Sequence, residues 1–154
     1  MTLHAGGPYL DSGALVKLYI VEAGSAQVQE SVEGWRRLSV NSLQESELMN
    51  GIEAAAGREV VRPGSADGAV SHFEHDIRAG RLIPREHDWE HVWRRTMELS
   101  KKYTREILCR TIDIVHVALA EKEEAGTMVT GDRRQAELCR RIGLEVTFID
   151  ATRY

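Results

Sequence analysis

Short apolar runs alternate with longer amphipathic stretches along the whole chain. The runs have the length of buried strands and fall at residues 9–10, 38–40, 81–84, 128–130 and 146–149. The stretches between them carry apolar residues at helical spacing and predict helices at residues 12–21, 24–35, 42–57, 69–79, 88–102, 105–125 and 133–142. Residues 62–68 predict a turn-rich connection rather than a domain linker. This alternation predicts an α/β fold with a mostly parallel sheet covered by helices on both faces.

Two helix ends carry specific signals. Ser42 has the pattern of an N-cap, with Glu45 three residues later as its capping-box partner. This assignment gives Glu45 a structural role and leaves Glu47, in the next half-turn, without one. Gly143 is placed to end the last helix.

Four acidic residues occupy positions where isolated charge is unfavourable. Asp11 and Asp132 each follow a predicted strand. Asp113 interrupts a helix that is apolar nearly all round, and Glu47 borders the apolar stripe of another helix. Ionised carboxylates in low-dielectric surroundings are paired, protonated or bound to metal. Because both acids follow strands of a parallel sheet, Asp11 and Asp132 are expected on the same rim. In such sheets, ligands bind at the carboxyl ends of the strands.

If all four acids converge, a hard divalent cation is the expected counter-charge. Oxygen ligands without cysteine or a histidine constellation favour Mg²⁺ or Mn²⁺ over zinc. Such ions activate water and stabilise the entering and leaving oxygens of a phosphodiester. The pattern therefore indicates metal-dependent hydrolysis of a phosphodiester bond, with no protein nucleophile required.

Each acid also has a purely structural interpretation. Asp11 and Asp132 are placed where helix N-caps occur, and Glu47 could lie on a solvated helix face. Asp113 could form a buried pair with Arg110, one turn earlier. Taken singly, each acid is weak support for a metal site, whereas their ordered combination along the chain supports one.

The composition fits a globular chain with one domain, residues 1–154. Apolar residues make up 42% of the chain and charged residues 29%. The formal net charge of −4 is not that of a typical nucleic-acid binder, so any RNA-binding surface must be local. Pairs of basic residues are scattered and are interpreted as solvated helix faces, at positions 36–37, 94–95, 101–102, 133–134 and 140–141.

The expected location is the cytoplasm. No apolar run approaches the roughly 20 residues that span a bilayer. Residues 1–8 have neither a basic start nor an apolar signal core, so export is not expected. Cys109 and Cys139 have no framework spacing, which predicts reduced thiols.

Four segments of the chain resemble the motifs of the PIN-domain ribonucleases, and within them the VapC-like toxins of toxin–antitoxin pairs. The segments cover most of the chain, and the last two, in this order, are the more specific. They are residues 9–19 with Asp11, 42–48 with Glu47, 110–118 with Asp113, and 130–135 with Asp132, followed by Gly143 and Leu144.

The resemblance implies a PIN-like three-layer fold and a metal pocket formed by Asp11, Glu47, Asp113 and Asp132. It also implies Mg²⁺- or Mn²⁺-dependent cleavage of single-stranded or looped RNA. Members of this family typically dimerise and are held inactive by an antitoxin protein. Gly13 stands where the family often has serine, and residues 57–85 carry no motif that can be aligned.

Four further residues are candidates for supporting the acids. The resemblance places Ser12 and Thr130 where hydroxyl groups often help to position the metal or its water. Arg110 is the alternative partner of Asp113. His116, one turn after Asp113, either orients a carboxylate or the phosphate or is a satisfied core residue, and the core role is favoured.

Other interpretations remain open. His87, Glu90 and His91 match the letters of an inverted zinc-peptidase motif, but a match this short arises readily by chance. Trp89 and Trp93 could stack on bases, although a core or dimer role is the default. The fold could also serve as a catalytically silent binding module, or as a nuclease in RNA processing or on flapped DNA.

Overall fold

The computed structural model describes residues 6–152 of the chain. Seven helices lie within this range: α1 (Ser12–Val16), α2 (Ser25–Val32), α3 (Ser42–Gly57), α4 (Pro63–Arg78), α5 (Trp89–Ile107), α6 (Thr111–Lys122) and α7 (Arg133–Arg141). Five strands lie between them: β1 (Pro8–Leu10), β2 (Leu38–Asn41), β3 (Leu82–Arg85), β4 (Thr127–Thr130) and β5 (Val146–Phe148).

The chain forms two compact units. Of the described residues, the first unit contains 6–11 together with His87–Phe148, and the second contains Ser12–Glu86 together with 149–152. Each unit has its own parallel sheet.

The first unit is built on a three-stranded parallel sheet. Its strand order is β1-β4-β5, with Leu10 opposite Val129 and Thr130 opposite Phe148. Helix α7 packs against β4 and β5, and α6 packs against α5 and α7. Because β1 and β4 run in the same direction, their carboxyl ends lie at the same edge of the sheet. Asp11 follows β1 and Asp132 follows β4 within two residues, as the sequence predicts.

Helix α6 is buried along most of its length because apolar residues occupy nearly every position. Asp113 through Ala120 are all buried. Asp113 lies in the first turn, where the positive end of the helix dipole favours a carboxylate. The helix therefore presents one acid from an otherwise apolar surface.

The second unit contains a two-stranded parallel sheet, in which β2 pairs with β3. Helix α3 packs against α1 and α4, and α4 packs against β3. The contact between α1 and α3 is close, since a Cβ placed on Gly51 would lie 2.8 Å from a methyl carbon of Val16. Glycine at this position lets the two helices approach.

The capping box of α3 differs from the prediction. Asn41, not Ser42, is the N-cap, and its side chain accepts a hydrogen bond from the backbone nitrogen of Gln44. The Gln44 side chain accepts in return from the backbone nitrogen of Asn41. Glu45 is therefore not the capping-box partner, because the box begins one residue earlier.

Three element boundaries also differ from the prediction. Helix α1 ends at Val16, and the chain continues in turns. Helix α4 begins at Pro63, inside the predicted turn, because proline is tolerated in the first turn of a helix. The break between α5 and α6 falls at 108–110, where Leu108 adopts a left-handed conformation with φ 61°.

The predicted fold class is confirmed, since short parallel strands alternate with helices that flank them. That the chain is a single domain stays a prediction. Among residues 6–152, no helix is both long and apolar enough to cross a lipid bilayer. Residues 1–5, on which part of the export prediction rests, lie outside the described residues.

Candidate active site

Asp11 is held at the end of β1 by a threonine from the neighbouring strand. The hydroxyl of Thr130, the last residue of β4, donates a hydrogen bond to Oδ2 of Asp11. Thr130 is fully buried and only 8% of Asp11 is exposed. The backbone nitrogen of Asp11 continues the strand pairing by donating to the carbonyl of Val129. The position of this carboxylate is thus fixed by the sheet and by one side chain.

Thr130 also connects Asp11 with Asp132. Its hydroxyl oxygen accepts a hydrogen bond of 3.0 Å from the backbone nitrogen of Asp132. The carboxylate of Asp132 caps α7 by accepting a 2.9 Å bond from the backbone nitrogen of Gln135. The N-cap interpretation of Asp132 is therefore confirmed, and the cap fixes this carboxylate near the edge of the sheet.

Gln135 joins the third acid to this network. Its side-chain nitrogen donates a 3.0 Å hydrogen bond to the backbone carbonyl of Asp113. Gln135 is fully buried, so the link between α7 and the first turn of α6 is shielded from solvent. One continuous set of hydrogen bonds in the first unit therefore includes Asp11, Thr130, Asp132, Gln135 and Asp113.

Arg110 supplies the counter-charge of Asp113. Its guanidinium donates to both carboxylate oxygens, with distances of 2.9 Å from Nε and 3.3 Å from Nη2. The Arg110 side chain is 74% exposed, whereas that of Asp113 is 12% exposed. The predicted alternative, a pair between these two residues, is present, and its cationic partner extends into solvent.

Glu47 belongs to the second unit, where α3 carries it. It is half-buried and lines a cavity of about 190 Å³ together with Ser12, Gly13, Val16 and other residues of α1 and α3. Ser12 and Gly13 follow Asp11 directly in the sequence. The structure thus groups Asp11, Asp113 and Asp132 in one unit and Glu47 with Ser12 in the other.

His116 is a core residue with a satisfied ring nitrogen. Only 1% of it is exposed, and its Nδ1 lies 2.8 Å from the hydroxyl of Tyr9. The two rings pack edge to face, with centroids 5.8 Å apart. His116 therefore ties α6 to β1, as the favoured interpretation predicts, and helps to hold the helix that carries Asp113.

The zinc-peptidase interpretation finds no support. His87 is buried against Glu123, with His87 Nε2 3.3 Å from Glu123 Oε1, whereas His91 is exposed on α5. The three residues of the motif therefore do not form one site.

Trp89 is half-buried and Trp93 is exposed.

The Cys109 thiol is affected by the negative charges of Asp113 and Asp132. Burial, together with the charges of Asp113 and Asp132, raises the pKa of the Cys109 thiol to about 11. Burial likewise raises the pKa of Cys139 to about 12. Both cysteines are free and buried, as expected for reduced thiols, and neither is activated as a nucleophile.

The chemistry of the three carboxylates fits a hard divalent cation. Within residues 6–152, no three or more His, Cys, Asp or Glu side chains are already arranged as a metal site. The acids are instead held by Thr130, a helix cap and Arg110. The three carboxylates offer oxygen donors, the ligand type of hard divalent cations, and the Arg110 guanidinium already supplies positive charge to one of them, Asp113. A cation that displaced this side chain would supply that charge directly.

Thr130→Val tests the link between the acids. Valine keeps the shape of the side chain but removes one donor to Asp11 and one acceptor for the Asp132 nitrogen. We expect the free energy of unfolding to fall by about 1–3 kcal/mol in urea denaturation, because buried polar groups lose partners. Thr127→Val is the matched control on the same strand, since within residues 6–152 the hydroxyl of the half-buried Thr127 makes a single hydrogen bond, of 3.0 Å, to the Thr147 hydroxyl. Equal losses in the two variants would contradict a special role of Thr130.

Two features of the site were missed in the sequence. Gln135 is not identified as a bridge between α6 and α7, although its position three residues after a capping aspartate is a usable signal. Arg133 and Arg134 are exposed, as the solvated-face interpretation predicts, but the sequence has no signal that they line a cleft beside Asp132. Distances between α6 and the start of α7 depend on packing and have no local sequence signal.

Fold and site together define an α/β protein in which Asp11 and Asp132 follow two neighbouring parallel strands at the same edge of the sheet. The model of the PIN domain family matches residues 9–141, and the chain therefore belongs to the PIN-domain family. PIN domains have a nuclease-like fold and are generally metal-dependent. No curated protein matches the sequence at a significant level.

Proposed function

We propose that this protein is an Mg²⁺- or Mn²⁺-dependent endoribonuclease. The observation that carries the proposal is the hydrogen-bonded network that holds Asp11 and Asp132 at one edge of a parallel sheet and reaches the backbone carbonyl of Asp113 through Gln135. These acids offer carboxylate oxygens, which are the ligands that Mg²⁺ and Mn²⁺ take in proteins. Membership in a family of generally metal-dependent nucleases agrees with this use.

The metal ligands proposed are Asp11, Glu47, Asp113 and Asp132. When bound, the ion would activate water and neutralise charge on the phosphate. The chain's own contribution is positioning: Thr130 orients Asp11, the cap on α7 fixes Asp132, and His116 anchors α6. Ser12, which lines the same cavity as Glu47, is proposed to help position that acid or the attacking water.

The proposed reaction is an attack of water on phosphorus. The bond between phosphorus and the 3′-oxygen breaks, which leaves a 3′-hydroxyl and a 5′-phosphate. No protein nucleophile is required, and this agrees with the raised pKa of the Cys109 thiol beside the acids. The 2′-hydroxyl of the RNA does not attack, so no cyclic phosphate forms.

The proposal is tested by incubating the purified protein with single-stranded RNA, with Mg²⁺ or Mn²⁺ and with excess EDTA. Cleavage that requires the metal and leaves 5′-phosphate ends supports it. Cleavage that survives chelation, or that leaves cyclic phosphate ends, contradicts it.

The biological role proposed is that of the toxin in a cytoplasmic toxin–antitoxin pair. The protein would act as a homodimer and be held inactive by a cognate antitoxin protein, as the resemblance to VapC-like toxins implies. Expression without a partner should arrest growth, and the partner should co-purify when the two are produced together. A protein that causes no arrest and has no partner would instead favour a nuclease of RNA processing.

Metal binding should raise the melting temperature. A ligand at a hundred times its dissociation constant stabilises the folded state by about 2.7 kcal/mol. For a chain of this size, each kcal/mol raises the melting temperature by about 2–4 °C. Differential scanning fluorimetry at increasing Mg²⁺ or Mn²⁺ measures this shift without any reaction. The same titration on Asp132→Asn should give a smaller shift, and an unchanged shift would remove Asp132 from the ligand set.

A catalytically silent PIN-domain module is the second candidate. The observation in its favour is the pair between Arg110 and Asp113, which satisfies an acid without any metal. Such a module would bind RNA or a protein partner and show no cleavage at any metal concentration.

A further inference from the structure

A wide cleft opens beside Asp132 in the first unit. Its volume is about 640 Å³, and it is lined by Arg110, Gly131, Asp132, Arg133 and Arg134. Three guanidinium groups therefore face the same space as one carboxylate. The arginines come from two places in the chain, the residue before α6 and the first two residues of α7, and the fold brings them together.

Within the described residues, no acid neutralises Arg133 and Arg134; the same holds for Arg105 and Arg140, but those two do not line the cleft. Arg94 and Arg95 on α5 and Arg141 on α7 all form ion pairs with glutamates. In the described part of the chain, Arg133 and Arg134 pair with no carboxylate. Arg134 makes one long hydrogen bond of 3.3 Å to the carbonyl of Leu108, which leaves its other donors available.

Arg110 is the arginine that connects the cleft with the acids. It holds Asp113 through two hydrogen bonds, yet 74% of its side chain is exposed and can turn toward a ligand in the cleft. Guanidinium groups bind phosphate through paired, charge-assisted hydrogen bonds. Phosphate in the cleft would therefore compete with Asp113 for Arg110.

The arginines of the cleft stand out because the chain as a whole carries a negative net charge. With a net charge of −4, the protein does not attract a polyanion through its overall field. A strand of nucleic acid needs local cations that no acid neutralises, and Arg133 and Arg134 provide two of them beside Asp132.

We infer that Arg133, Arg134 and Arg110 bind backbone phosphates of the RNA strand next to the bond that is cleaved. The inference rests on the proposed function, because it takes the neighbouring carboxylates as the place of cleavage. It assigns the substrate a continuous phosphodiester strand that crosses from the cleft to the acids. Arg133 and Arg134 are positioning residues for that strand.

Salt-dependent binding tests the inference separately from cleavage. A short fluorescein-labelled single-stranded RNA of mixed sequence is titrated with protein in EDTA at several salt concentrations, and anisotropy is measured. Each phosphate contact contributes about 0.7 to the slope of log K against log salt for a single strand. Arg133→Ala/Arg134→Ala should therefore reduce the slope by about 1.4 and weaken binding roughly tenfold at low salt.

Two further variants distinguish the cleft from an effect of total charge. Lys101→Ala/Lys102→Ala removes the same charge from the exposed face of α5 and should leave the slope close to that of the original protein. Arg133→Lys/Arg134→Lys keeps the charge and should retain most of the slope. The inference would be overturned if the two double-alanine variants lost the same amount of slope, or if Arg133→Ala/Arg134→Ala left the slope unchanged.

The outcome for cleavage is read in a separate experiment. If Mg²⁺ and Mn²⁺ never produce cleavage but Arg133→Ala/Arg134→Ala still lowers the salt slope of binding, RNA binding in the cleft stands and the nuclease proposal fails. If cleavage occurs and Arg133→Ala/Arg134→Ala changes neither the slope nor the KM for RNA, the nuclease proposal stands and the cleft assignment fails.

Discussion

Asp113→Asn should abolish metal-dependent cleavage of RNA, with a loss of about a hundredfold or more. Removing one preorganised group that acts on developing charge typically costs this much in rate. Asparagine keeps the size and the hydrogen-bonding shape of the side chain but loses its negative charge. Cleavage of a labelled RNA is measured under single-turnover conditions in saturating Mg²⁺ or Mn²⁺.

The fold should survive Asp113→Asn. The carbonyl that Gln135 contacts belongs to the backbone of residue 113 and is retained. The lost ion pair involves a mostly exposed arginine, and such pairs contribute little to stability. Asp67→Asn, an exposed acid on α4, is the matched control and should cleave normally. Cleavage by the Asp113 variant at the original rate would show that this carboxylate does not act in the reaction.

Gly126→Ala should be the most destabilising small substitution in the first unit. A Cβ at this position would lie 2.3 Å from the carbonyl oxygen of Gly6 and 3.0 Å from its carbonyl carbon. Both atoms belong to the backbone, so no side chain can move aside. The nitrogen of Gly126 also donates to the carbonyl of Gly7, which fixes the entry to β4. We expect a loss of about 1–3 kcal/mol or more in the free energy of unfolding.

Gly68→Ala is the control for this substitution. Gly68 lies inside α4, and no atom lies within 4 Å of a Cβ placed there. Alanine favours a helix interior by about 0.5–1 kcal/mol relative to glycine, so this variant should be slightly stabilised. The two free energies are compared by urea denaturation. If Gly126→Ala left the free energy of unfolding unchanged, β1 and β4 would be able to separate at this end without a loss of stability.

The positions of two acids could be predicted because they depend on strand direction alone. Asp11 and Asp132 follow short apolar runs, and parallel strands bring their carboxyl ends to one edge. Burial of Asp113 could also be predicted, since the apolar residues around it leave little polar surface. The metal-ligand role of these acids, and of Glu47, stays a prediction.

The errors in the predicted elements have local causes. Ser42 and Asn41 are both good N-cap residues, and the choice of Asn41 depends on Gln44, which completes the box one residue earlier. Pro63 is typical of a turn, but in the structure it is the first residue of α4. The end of α5 at Ile107 has no sequence signal, because no glycine follows it. Leu108 takes the left-handed conformation that glycine usually supplies at a helix end.

The arrangement around the acids could not be predicted from spacing. Gln135 reaches the Asp113 carbonyl only because α7 packs against α6. Arg110 faces the same cleft as Arg133 and Arg134 for the same reason. In the sequence, these arginines have the pattern of an ordinary solvated pair, and only the cleft distinguishes them from the pair at 101–102.

A crystal grown with Mn²⁺ tests the central claim most directly, because manganese can be located by its anomalous scattering. The account predicts an anomalous peak within bonding distance of carboxylate oxygens of Asp11, Asp113 and Asp132, with Arg110 turned away from Asp113. A structure in saturating Mn²⁺ that shows no peak there, with Asp113 still paired to Arg110, would contradict it.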